Sequence, residues 1–120
     1  MRTTFHLVPA SAWGAWQPGT PYAPESLAAE GFIHCTDGAD ELVATANRHY
    51  RDDPRPFVTL LVNLDACGSP WSVADERGVY PHIFGPIDPA AILGERSVDR
   101  AADGRFSGLG PLRLVDAPPR

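Results

Sequence analysis

The segment Phe57–Leu64, FVTLLVNL, is the strongest apolar run in the chain and constrains the fold more than any other feature. Pro56 precedes the run and Gly68 follows it, so it can extend little in either direction. Eight residues are too few for a membrane helix, which needs about 20. Its β-branched residues favour a strand. We therefore predict a central β-strand that is buried on both faces.

Shorter strand-like and helix-like patterns surround this run, and Gly and Pro, 11 and 13 of the 120 residues, interrupt them. The further predicted strands are 3–8, 32–36, 71–73, 79–84 and 94–98, and the predicted helices are 11–16, 25–30 and 37–50. These elements interleave without a regular βαβ series. The order predicts an α+β fold, with a split, bent, mixed β-sheet and two or three short helices. Residues 1–99 are predicted to form this single domain, and residues 100–120 a flexible C-terminal tail.

The charge of the chain narrows the range of partners. A net charge of −5 at pH 7 argues against bulk binding to nucleic acid or to an anionic membrane, because both require a basic surface. All ten basic side chains are Arg, so a bound anion must be held by Arg, His or backbone N–H groups. Two cysteines and no visible signal peptide favour a reducing, cytoplasmic location. The oligomeric state is not determined by the sequence.

Three of the four histidines lie within strand-like runs, where successive side chains alternate between faces. In each run one face is apolar, and the other carries a single His among mostly aromatic or hydroxyl residues. The His-bearing faces are Thr4-His6-Val8, Phe32-His34-Thr36 and Tyr80-His82-Phe84. Pockets combine apolar walls with a few polar groups, so we predict that these faces line one ligand cleft, with Thr36, Tyr80 and Trp71 adding contacts. The alternative for each His is a buried residue that hydrogen-bonds to the backbone.

The sequence also contains residue types that match a zinc site or a nucleophilic cysteine. Three histidines match the ligand number of a catalytic zinc site, which leaves a zinc-dependent hydrolase as one alternative. However, the only pair of His or Cys side chains within four residues is His34-Cys35, and adjacent strand residues point to opposite faces. We therefore assign no metal ligands. By the same alternation Cys35 is predicted to be a buried, inert thiol.

Five segments, read in order, resemble one bacterial family. They are FHLVPASAW, GFIHCT, a helix with Ala46-Asn47-Arg48, LLVNLD and YPHIFGPI. Over residues 3–98 the chain looks like the family called domain of unknown function 952. The resemblance implies a fold similar to the ADP-ribosyltransferase superfamily, which has a split mixed sheet with an NAD cleft.

The resemblance also implies site residues. In that superfamily a first-strand His lies near the nicotinamide ribose, a second strand adds an aromatic or His and a hydroxyl residue, and a later strand adds an acid or another polar group. Here these positions fall on His6, on His34 and Thr36, and on His82 or one of the acids Asp75 and Glu76. We take His82 and Glu76 forward as catalytic candidates, and Tyr80, Trp71, Arg48 and Asn47 as ligand-binding candidates.

One departure from the superfamily pattern leaves two functions open. The His-Gly-Thr of the first strand is absent, since Leu7 and Val8 follow His6. The leading hypothesis is a domain that binds or transforms NAD or a related nucleotide. As an enzyme it would transfer an ADP-ribosyl group or a 2′-phosphate, with NAD as a substrate and no required cofactor. The alternative is a non-catalytic module that binds a small molecule or a protein.

Overall fold

The computed structural model describes residues 1–114, which form one small α+β domain of seven strands and three short helices. In chain order the elements are β1 (Thr3–Pro9), α1 (Ala10–Ala15), α2 (Glu25–Glu30), β2 (Ile33–His34), α3 (Ala39–His49), β3 (Phe57–Asn63), β4 (Trp71–Val73), β5 (Pro81–Ile83), β6 (Ile92–Arg100) and β7 (Phe106–Leu114). Single 3₁₀ turns occur at Leu64–Ala66 and Pro89–Ala91. None of the helices in the described residues has the length and apolar character to cross a membrane.

The strands form two sheets, one with the order β1-β3-β6-β7 and one with the order β2-β5-β4. The predicted split is therefore present, but the prediction of a mixed sheet is wrong, because every strand pair described is antiparallel. Parallel neighbours need a long crossover connection, usually a helix. The longest helix, α3, is such a connection, but it joins β2 to β3, which lie in different sheets.

The predicted central strand is confirmed as β3, which lies between β1 and β6. Leu60 and Val62 are fully buried in the main core, which they share with residues of the three-stranded sheet such as Ile33. Phe57 belongs to a second, smaller core with Phe106, beneath α3. Both faces of β3 are therefore covered, as its unbroken apolar pattern predicts.

The prediction of a flexible tail from residue 100 is wrong for residues 106–114, which form β7 and pair with β6. The glycines of this segment resemble a loop in sequence, yet they allow the two strands to approach closely. A Cβ at Gly110 would collide with the Ser97 hydroxyl, and one at Gly94 would lie 2.7 Å from the Arg113 carbonyl oxygen. Phe106, 1% exposed, anchors the start of β7 in the smaller core. Residues 115–120 of the predicted tail lie outside the described residues.

Candidate functional site

A cleft of about 590 Å³ lies between α3 and the outward face of the three-stranded sheet. The end of β1, strand β2 and the segment that leads into β5 complete its lining. Five of the residues predicted from the sequence line this cleft, and they are His34, Thr36, Arg48, Tyr80 and His82. The structure therefore brings together two of the three predicted strand histidines with one basic and two hydroxyl side chains.

His34 and His82 are direct cross-strand partners on β2 and β5. Paired residues of antiparallel strands project to the same side, and the two ring centroids lie 5.7 Å apart. His34 Nε2 is 2.7 Å from a carboxylate oxygen of Glu30. Burial lowers the pKa of His82, and the neighbouring His34 lowers it further. His82 therefore offers the cleft a neutral imidazole at pH 7.

The turn between α2 and β2 brings Glu30 back to His34. Gly31 ends α2 in the left-handed conformation, with a φ of 85°, which is costly for any residue with a Cβ. The chain reverses there within two residues and enters β2. Glu30 is therefore an acidic group of the cleft that strand alternation alone did not find.

Helix α3 forms the opposite wall of the cleft with Thr45 and Arg48. The side-chain oxygens of Thr45 and Tyr80 have no exposed surface, and within residues 1–114 the Tyr80 hydroxyl has the Thr45 hydroxyl and the Arg48 guanidinium as close neighbours. Proximity of the Thr45 hydroxyl, together with the Arg48 guanidinium, lowers the pKa of Tyr80. Arg48 itself forms no ion pair with a carboxylate in residues 1–114. This wall thus places a guanidinium that has no ion pair in the described residues beside two hydroxyl groups.

Of the two acids considered for the later strand, the cleft contains Asp75 rather than Glu76, which is exposed in the loop outside it. The Asp75 carboxylate accepts hydrogen bonds from the backbone N–H groups of Val79 and Tyr80, at 3.1 and 2.9 Å. Burial opposes its ionisation, but these N–H groups lower its pKa below the usual value. Asp75 therefore shapes the loop that leads to Tyr80, and the placement of Glu76 in the cleft is wrong.

The prediction that His6 faces the cleft is also wrong, because of the register between β1 and β2. The backbone of Phe5 in β1 pairs with the backbone of Thr36, which follows β2, through two hydrogen bonds of 3.0 and 2.8 Å. Phe5 and Leu7 thus share a side with the cleft-lining residues of β2. His6 lies on the opposite side, where it is only 4% exposed. A shift of one residue in register would exchange these two faces.

His6 instead matches the alternative prediction, which is a buried histidine that hydrogen-bonds to the backbone. Its Nδ1 lies 2.8 Å from the His34 carbonyl oxygen, and its Nε2 lies 3.0 Å from the Tyr22 hydroxyl. A carbonyl can only accept, so Nδ1 carries the proton and Nε2 accepts from Tyr22. Burial lowers the pKa of His6 to about 4, which keeps the ring neutral at pH 7. His6 therefore holds the backbone of β2 at His34 from the core side.

Trp71 and Asn47 also lie outside the cleft. Trp71 packs against the main core, with the Arg2 guanidinium 5.8 Å from its ring centroid. Asn47 projects from α3 towards β7, where its side-chain amide donates to the Phe106 carbonyl at 2.9 Å and accepts from the Phe106 N–H at 2.7 Å. Trp71 is thus a packing residue, and Asn47 joins α3 to β7.

We expect Asn47→Ala to lower the free energy of unfolding by about 1–3 kcal/mol, because it leaves both backbone polar groups of Phe106 without partners. Urea denaturation measures this loss. The control is Arg105→Ala, an exposed side chain one residue before Phe106, which should change stability by less than about 0.5 kcal/mol. Equal stability of Asn47→Ala and the wild type would show that the two hydrogen bonds between Asn47 and Phe106 contribute nothing to the free energy of unfolding.

Other features of the cleft bear on the sequence predictions. Thr45 was missed, although its spacing of three residues from Arg48 places both on one helix face. Cys35 is buried as predicted, and burial raises the pKa of its thiol, which makes it a poor nucleophile.

Within residues 1–114 no group of three His, Cys, Asp or Glu side chains has a geometry that could hold a metal ion. The zinc hydrolase alternative therefore has no ligand set in this part of the chain.

The fold and the cleft define a small α+β protein with two antiparallel sheets and a pair of histidines in a cleft between sheet and helix. The chain belongs to the family described as "Protein of unknown function (DUF952)", which matches residues 7–95. The crystal structure of protein CC0527 from Caulobacter crescentus has a TM-score of 0.68 at 24% identity, covering 88% of this chain and 94% of that one. The solution NMR structure of CC0527 gives a TM-score of 0.61 over 87% and 90% of the two chains. No curated protein matches the chain.

Proposed function

We propose that the cleft binds NAD or a related phosphate-bearing nucleotide. The observation that carries the proposal is the wall of α3, where Arg48, which forms no ion pair with a carboxylate in residues 1–114, lies beside the hydroxyls of Thr45 and Tyr80. A guanidinium suits a phosphate, and protein hydroxyl groups can exchange hydrogen bonds with the hydroxyl groups of a ribose. A volume of about 590 Å³ is in the range of small-molecule sites.

The acidic group of this site is assigned to Glu30, which the superfamily resemblance does not place. Its carboxylate contacts His34 Nε2, and both side chains are 51% exposed, so solvent and ligand can reach them. A carboxylate that orients an imidazole is a common arrangement for proton transfer. In this proposal Glu30 and His34 supply the acid–base step of an ADP-ribosyl or 2′-phosphate transfer, while Arg48 holds the phosphate.

We expect Arg48→Gln to weaken the binding of ADP-ribose about tenfold or more, because a hydrogen bond to a charged group contributes about 1.5–3 kcal/mol. Ligand-observed NMR titration of NAD, ADP-ribose and nicotinamide measures the affinities. The control is Arg105→Gln, which removes the same charge from an exposed position outside the cleft. Failure of the wild type to bind any of the three ligands at millimolar concentration would disprove the proposed function.

A non-catalytic binding module is the second candidate, and two observations favour it. The Asp75 carboxylate already accepts hydrogen bonds from backbone N–H groups, and His6 lies in the core rather than in the cleft. The two candidates differ in whether bound NAD is consumed. Release of nicotinamide by the wild type and its absence in folded His34→Ala would establish an enzyme, whereas binding without turnover would establish the module.

A further inference from the structure

Four aromatic rings cluster next to the cleft, and two of them also line it. We call this cluster the aromatic platform, and its members are Phe32, His34, His82 and Phe84. Phe32 stacks on His82 with a centroid distance of 4.1 Å and an interplanar angle of 17°. Phe32 also meets His34 edge to face at 4.6 Å, and Phe84 lies 6.1 Å from Phe32. Phe84 is 48% exposed.

The platform rests on a rigid base. The alternate residues of the same two strands, Ile33 and Ile83, are cross-strand partners with no exposed surface in the main core. Their burial fixes the direction in which Phe32 and His34 project from β2, and His82 and Phe84 from β5 and its end. The hydrogen bond that His34 Nε2 donates to the Glu30 carboxylate further restrains one ring. Such rings lose little conformational freedom when a ligand covers them.

Resting on the nucleotide function proposed above, we propose that the aromatic platform stacks the base of the ligand whose phosphate Arg48 holds. The platform and the cleft are continuous, since His34 and His82 belong to both. Planar bases stack on aromatic side chains, and this contact tolerates different bases because each has a π-face. The platform itself contains no Arg, and the chain carries a net charge of −5, so the occupant is a single nucleotide rather than a polynucleotide.

The division of the ligand between two surfaces has a consequence for selectivity. Arg48 and the hydroxyls of Thr45 and Tyr80 contact the sugar–phosphate part, whereas the platform contacts only the faces of the base. The edges of the base, which distinguish one nucleotide from another, are then largely free of contacts with the protein. The site should therefore bind ADP-ribose and a guanine nucleotide such as GDP with affinities within about tenfold of each other.

The test compares ligands with and without a base on matched variants. Phe84→Leu should weaken ADP-ribose binding about fivefold or more, since stacking contributes about 1–3 kcal/mol per base. Phe84→Tyr, which keeps the ring, should remain within twofold of the wild type. Ribose 5-phosphate, which lacks a base, should bind the wild type and both variants equally. Leu112→Ala is the control for loss of an exposed apolar side chain elsewhere.

The outcomes separate this inference from the proposed function. The platform does not hold the base if Phe84→Leu binds ADP-ribose as the wild type does, or if ADP-ribose binds no tighter than ribose 5-phosphate. Either result leaves the proposed nucleotide cleft unaffected. If the wild type binds neither ligand, the cleft itself is not a nucleotide site and the inference falls with it. Weaker binding in Phe84→Leu that Phe84→Tyr restores supports the stacking role.

Discussion

Val62→Asp is expected to leave the domain unfolded at 25 °C. Val62 has no exposed surface and lies near the end of β3, where it is paired with Thr4 of β1 and Ile92 of β6. The change removes an apolar contact from the main core and places a carboxylate where water cannot reach it. An unpaired buried charge costs several kcal/mol at least, against a total stability of about 5–15 kcal/mol for a domain of this kind.

Circular dichroism melting and one-dimensional proton NMR measure this result, through loss of the cooperative transition and of dispersed methyl signals. Leu112→Asp is the matched control, because it introduces the same charge on β7 at a side chain that is 45% exposed. The control should melt near the wild type. A cooperative, wild-type-like melt of Val62→Asp would contradict the central position of β3.

The second large effect concerns pH, since the stability of the protein should fall on acidification through the buried His6. The pKa of this imidazole is lowered by burial to about 4 in the folded protein, from 6.5 in an unperturbed chain. Above pH 6.5 the ring is neutral in both states, so it adds no pH dependence. Between pH 6.5 and about 4 the unfolded chain binds a proton that the folded protein rejects. The free energy of unfolding should therefore decrease by about 3 kcal/mol over this window.

Urea denaturation between pH 7.5 and 4 measures the dependence, and His6→Gln isolates the contribution of one residue. Glutamine cannot titrate, so the variant should lose the part of the slope that is due to His6, although it is less stable than the wild type at pH 7.5. Leu112→Gln, which removes no titratable group at an exposed position on β7, should keep the wild-type dependence. Identical slopes in the wild type and His6→Gln would show that His6 is not held neutral in the fold.

Local sequence patterns predicted most of the elements. The apolar run that forms β3 was placed within one residue, and the alternation on β2 and β5 correctly gave His34 and His82 a common outward face. Strand β7 was missed because its glycines and Pro111 mimic a loop. What makes it a strand is the close approach to Ser97 of β6 and the burial of Phe106, neither of which leaves a local signal.

The candidate site was predicted in part, and the errors share one cause. Alternation within β1 was read correctly, but which face met the cleft depended on the register of the Phe5–Thr36 bridge. Asn47 likewise sits on the predicted helix, yet its partner is Phe106, far away in the sequence. Glu30 reaches His34 only because Gly31 reverses the chain between them.

The sequence alone determined the α+β class, the buried central strand, and the absence of lysine, which leaves arginine as the permanently charged side chain for holding an anion. These properties follow from residue type and short-range periodicity, which act along the chain. The tertiary structure decided that all strand pairs described are antiparallel, that His6 supports the core while His34 and His82 face the cleft, and that Arg48 stands beside Thr45 and Tyr80. These properties depend on register and packing between distant segments, where a shift of one residue exchanges the faces of a strand and local periodicity remains the same.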